Sequence, residues 1–82
     1  MIADDLLTFI NDEISLDPSQ EIGLDTDLLL TGLVDSLGVV EIVAWIEDTT
    51  GGTVDPSDVV LEHFQTVQRM LDFAARAFGP VA

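Results

Sequence analysis

Cysteine and lysine are both absent from this 82-residue chain. Without cysteine there is no disulfide and no thiolate-held metal, and the composition suits a reducing compartment. Without lysine there is no phosphate-cradling glycine loop of the usual kind, and Gly51-Gly52 leads into none. Histidine occurs once, at His63, so a metal site would rest on carboxylates, and none is expected. Positive charge is scarce as well. Arg69 and Arg76 face sixteen Asp and Glu, for a formal net charge of -14. Such a surface repels phosphate backbones and anionic lipid, which disfavours nucleic acid. It attracts basic docking patches and speeds encounter with them. No apolar run approaches a membrane span, because Glu41 and Glu47 break the densest one. The start, Met1-Ile2-Ala3-Asp4-Asp5, lacks the positive and apolar regions of a signal peptide. A cytoplasmic protein without membrane insertion is therefore expected.

What is present is helical periodicity. Residues 1–82 are read as a single domain with a small core. Ile2, Leu6, Ile10 and Ile14 recur every four residues, with Asn11, Asp12 and Glu13 on the wet side. The spacing predicts a helix over residues 2 to 14, stopped before Pro18. Residues 15 to 35 follow as a long connection. Ile22, Leu24 and Leu28-Leu29-Leu30 imply that it packs, with a short helical turn near 25 to 30. Asp25 and Asp27 hint at a calcium loop, but Leu30 stands where that loop needs glycine.

A second helix is expected from Ser36 to about Thr49, capped by Asp35 or Ser36 and ended by Gly51-Gly52. Val39, Ile42, Val43 and Ile46 share its inward face, and Trp45 lies at the boundary. Leu37, Val40, Glu41, Ala44, Glu47 and Asp48 share another face, apolar and acidic together. Asp55-Pro56-Ser57-Asp58 reads as the start of a short third helix ending near Leu61 to His63. Thr66 caps a fourth, with Val67, Met70, Leu71, Ala74 and Phe78 inward and Asp72 and Arg76 paired. Gly79-Pro80 ends it. No strand alternation appears. The expected architecture is all-α, a small four-helix bundle with a long first loop and a short third helix.

A catalytic set is not credible. Ser36, His63 and a carboxylate can be drawn as a triad, but no strand precedes the serine and half of the nucleophile-elbow pattern is missing. His63 reads as a structural or surface residue. Ser36 is either an ordinary helix cap or a modification site. At a helix start, free backbone N–H groups favour a phosphate.

With Gly32-Leu33 before Asp35-Ser36-Leu37 and Glu41 after it, the chain resembles acyl and peptidyl carrier proteins over nearly its full length. The resemblance implies a non-catalytic carrier. Ser36 would bear covalent 4′-phosphopantetheine, and Asp35 would serve recognition by the synthase that installs it. It further implies docking through Leu37, Val40, Glu41, Ala44, Glu47 and Asp48. Implied partners are a phosphopantetheinyl transferase, an adenylating enzyme or acyltransferase for loading, and ketosynthase, condensation or thioesterase enzymes. The carrier is expected to be a monomer. Gly38, small Ala44 and Phe64-Gln65-Thr66-Val67 resemble freestanding carriers of polyketide-like or nonribosomal-peptide-like pathways. A fatty-acid synthesis carrier and a non-carrier acidic binding module are the alternatives.

Overall fold

The computed structural model of the chain describes residues 2–17 and 19–79. These residues form an all-helical bundle, with no strand among them. Helix α1 spans Ile2–Phe9 and runs on into a π-helical turn, Ile10–Ile14. Helix α2 spans Ser36–Thr50, α3 spans Leu61–Phe64 and α4 spans Val67–Phe78. A 3₁₀ turn, Pro56–Asp58, precedes α3. Pro18 and Pro80, expected to stop α1 and α4, lie outside the described residues, as does the side chain of Ile2.

The expected stripes form the core. Leu6, Ile10 and Ile14 from α1 meet Ile42 and Ile46 from α2 and Val67, Met70 and Ala74 from α4, all buried. Val39, Val43 and Leu71 pack against them half-buried. Phe73 is buried too, although the sequence reading left it out of the α4 inward face. Its ring lies 4.9 Å from that of His63 and 5.9 Å from that of Phe64. His63 is therefore an aromatic neighbour of the core, in keeping with its structural reading. Trp45 stacks on Phe9, with ring centroids 5.8 Å apart.

The long connection contains turns but no helix near residues 25 to 30. It is held by hydrogen bonds instead. Leu28 N–H donates to Gln65 carbonyl at 2.8 Å, and Gln68 N–H to Leu24 carbonyl at 2.9 Å. Gln65 Nε2 donates to Asp27 Oδ2 at 2.6 Å. Asn11, assigned above to the wet side, is half-buried. Its amide accepts from Ile22 N–H at 2.9 Å and donates to Ile22 carbonyl at 3.2 Å. One side chain thus satisfies both backbone groups of a residue that has no regular partner. Leu28 is buried, as the packing argument requires, but Leu30 is 71% exposed.

The third helix differs most from expectation. Asp55 caps as foreseen, accepting from Ser57 N–H at 2.9 Å. That N–H, with the Ser57 hydroxyl, holds the Asp55 carboxyl below its usual range. The helix it starts stops after one 3₁₀ turn, because Val60 is extended at φ -128, ψ 158. Two adjacent β-branched residues, Val59 and Val60, resist continued helix, and α3 restarts at Leu61. Thr66 caps α4 as expected, its hydroxyl accepting from Arg69 N–H at 3.1 Å. The Asp72 and Arg76 pair takes another form. Arg76 Nε donates to the Asp72 carbonyl at 3.3 Å, while the Asp72 carboxylate accepts from Gln68 at 3.1 Å.

Candidate functional site

The start of α2 is set by Asp35. Its backbone is extended, and its Oδ1 accepts from Gly38 N–H at 2.9 Å. This decides between the two capping residues: Asp35 is the N-cap and Ser36 the first helical residue. Val39 N–H donates to the Asp35 carbonyl at 3.0 Å, the first intrahelical bond. The N–H groups of Ser36 and Leu37 precede that bond and face the region where a helix end favours anions.

Gly38 holds this start against the rest of the fold. It is buried in α2, and a methyl group there would lie 2.8 Å from Val34 Cγ1 and 2.9 Å from Ile14 Cγ2. Its use is close approach, not flexibility. The positive backbone angle belongs to Gly32, at φ 76, where the turn from Leu29 reverses the chain before the site.

Ser36 is exposed and borders a groove of about 640 Å³. The walls come from three segments: Leu29 and Val34 of the connection, Val39 and Val40 of α2, and Val59, Val60 and Leu61 before and within α3. The break at Val60 is what turns these three apolar residues toward the serine. Sequence reasoning missed Leu29 and Val59 to Leu61 as parts of the site. Their only signal was an apolar triplet without helical period just after a capped turn.

Most side chains of the expected docking face are exposed. Leu37 is 67% and Val40 62% exposed, and Glu41, Ala44 and Asp48 are exposed as well. Glu47 departs from that set. It is half-buried, and its Oε2 accepts from Val54 N–H at 2.8 Å. That carboxylate ties the loop after α2 to the helix and is a structural group. Ser36 and His63 are not brought together. His63 lines a small hollow with Glu62, Arg69, Asp72 and Arg76, whereas the groove beside Ser36 holds no basic residue.

A family model described as "Phosphopantetheine attachment site" matches residues 4–74. That is most of the chain, and the chain belongs to this family of phosphopantetheine-bearing carrier proteins. No curated protein and no solved structure matches it significantly. The family attaches 4′-phosphopantetheine covalently to a serine. Carriers of this kind are generally non-catalytic and interact with phosphopantetheinyl transferases and pathway enzymes. Among the described residues, no helix is long and apolar enough to cross a membrane.

Proposed function

We propose that Ser36 is the attachment residue of a single-domain, non-catalytic carrier acting in a polyketide, nonribosomal-peptide or related pathway. The observation that carries the site is the state of the four serine hydroxyls. Ser15 Oγ donates to the Asp17 carbonyl at 3.2 Å. Ser19 Oγ donates to Asp17 Oδ1 at 2.5 Å, and Ser57 Oγ to Asp55 Oδ1 at 2.8 Å. Ser36 is exposed, and no hydrogen bond among the described residues engages its hydroxyl. It also stands at a helix start, beside the apolar groove.

These residues fit the arm. The N–H groups of Ser36 and Leu37, at the start of α2, would favour the negative charge of a phosphodiester on Ser36. Asp35 offsets part of that effect. It keeps its capping bond to Gly38 and so holds the helix start in place for the installing synthase. Leu29, Val40, Val59 and Leu61 offer the arm and its cargo an apolar wall. When attached, the arm supplies a terminal thiol that carries acyl or aminoacyl cargo as a thioester. Leu37 and Val40 then form the apolar centre of a docking face, with Glu41 and Asp48 as its acidic rim. Small Ala44 leaves that face shallow, which supports a specialised pathway over fatty-acid synthesis.

Intact mass after incubation with coenzyme A and a permissive phosphopantetheinyl transferase tests the assignment. The wild-type chain should gain one phosphopantetheine mass. Ser36→Ala should gain none while keeping its helical circular dichroism. An increment mapped to Ser15, Ser19 or Ser57 would overturn the site.

A further inference from the structure

A thioester held on an arm is open to attack by hydroxide and by the side chains of its own carrier. We propose that this chain prolongs the life of its cargo, by excluding hydroxide through its electric field and by placing no strong nucleophile beside the arm. The inference rests on the carrier reading of Ser36. The cargo it serves is an activated thioester, such as an aminoacyl or β-oxoacyl group, whose carbonyl hydroxide attacks fastest.

In hydrolysis, hydroxide adds to the carbonyl carbon and negative charge gathers on the carbonyl oxygen. The carbon–sulfur bond then breaks and its electron pair leaves on sulfur. The proton of the new acid passes to the thiolate, so that a carboxylate and a free thiol remain. The first obstacle to this step is the field. A net charge of -14 lies within 33 × 27 × 19 Å. At about 15 Å from its centre, in water, that charge lowers the hydroxide concentration roughly tenfold at 0.15 M salt and roughly eightyfold at 0.01 M. The groove beside Ser36 has no cation to reverse this locally. Asp35 is the one charged residue of its lining, and its carboxylate already accepts from Gly38 N–H. Arg69, Arg76 and His63 are gathered around a separate hollow.

The second obstacle is the wall. The side chains of Leu29, Val39, Val40, Val59, Val60 and Leu61 are hydrocarbon. They carry no donor to stabilise the oxyanion and no group to take the acyl chain. Within these 82 residues there is neither a lysine amine nor a cysteine thiol. The His63 ring stacks on Phe73 at 4.9 Å and does not line the groove. Serine and threonine hydroxyls remain, but without an adjacent base they attack weakly.

The test uses the chain loaded on Ser36 with acetyl-phosphopantetheine, transferred from acetyl-coenzyme A by a permissive phosphopantetheinyl transferase. Uncharged S-acetyl-pantetheine is the reference. Loss of acetyl is followed by mass at one mildly alkaline pH, with circular dichroism confirming the fold at each salt concentration. On the carrier, hydrolysis should be slower than on the reference, and should accelerate about fivefold from 0.01 to 0.15 M salt. The reference should stay flat. Asp4, Asp12 and Glu21 are exposed around a groove that shares no lining residue with that of Ser36. Neutralising them together, as Asp4→Asn, Asp12→Asn and Glu21→Gln, should raise the low-salt rate about twofold through the field alone. Val60→Lys should move the acetyl group from sulfur to the new amine, as an amide that hydroxylamine does not cleave. Equal rates on carrier and reference, a carrier rate indifferent to salt, or a triple variant identical to wild type would overturn the field. A Val60→Lys chain that keeps its thioester, or a wild-type chain that acylates itself, would overturn the role of the wall. A chain that loads but fails these measurements refutes the protection alone, whereas a chain that cannot be loaded overturns the carrier reading and the protection together.

Discussion

A methyl group at residue 38 would meet Val34 and Ile14, both buried and both β-branched. Their stiff side chains cannot swing away cheaply. Alanine is the better helix former by about 1 kcal/mol, but overpacking a core costs roughly 1–3 kcal/mol. Gly38→Ala should therefore lose roughly 1 kcal/mol in chemical denaturation. A stabilised variant would show that the start of α2 has room to move. Asp27 makes a second prediction at this scale. The Gln65 amide, ahead of a raising effect from burial and the N–H groups of residues 29 to 31, holds its carboxyl below the usual range. A group with a depressed folded pKa contributes stability above its unfolded pKa, and loses it as pH falls through the folded value. Wild type should thus exceed Asp27→Asn in melting temperature at neutral pH. The gap should close in acid, below the ordinary Asp range. A gap independent of pH would mean that the substitution acts through packing and not through the charged hydrogen bond.

On the proposed docking face, α2 exposes two kinds of residue, apolar and acidic, and they should act differently. Glu41→Lys should slow association with a phosphopantetheinyl transferase, strongly at low salt and weakly at high salt. Val40→Asp should weaken the complex at every salt concentration, since it removes apolar contact. Stopped-flow kinetics across a salt series separates the two, and unchanged rates for both would exclude this face. The helices were legible because local rules set them. The four-residue spacing of Leu6, Ile10 and Ile14, the Thr66 cap and the Asp35-Ser36 start each depend on near neighbours. The π-helical turn was hidden because Ile10 and Ile14 keep the same spacing in either helix form. The groove was hidden for a different reason. Leu29 and Val59 to Leu61 reach Ser36 only through the tertiary fold, and no periodicity reports on that. Asn11 was assigned to the wet side and Glu47 to the docking face, without their structural bonds, because the backbone groups they satisfy belong to loops, whose course is not periodic.

The whole molecule measures 33 × 27 × 19 Å and carries a net charge of -14. At about 0.01 M salt the screening length is roughly 30 Å, so carboxylates on opposite faces still repel one another. Near 0.15 M it falls to about 8 Å, and only neighbours do. The melting temperature at neutral pH should therefore rise between these salt concentrations. A flat or falling series would show that mutual repulsion is not the main electrostatic strain. The same charges are unevenly placed. Both arginines lie on α4 around the hollow with His63, while α2 carries Glu41, Glu47 and Asp48 and no basic residue. The centre of positive charge is thus displaced from the centre of negative charge, and the molecule has a dipole moment as well as a net charge. In the field of an approaching basic surface it experiences a torque before it experiences contact. Its rotational search is then biased, and the arginine-bearing side turns away from the oncoming enzyme.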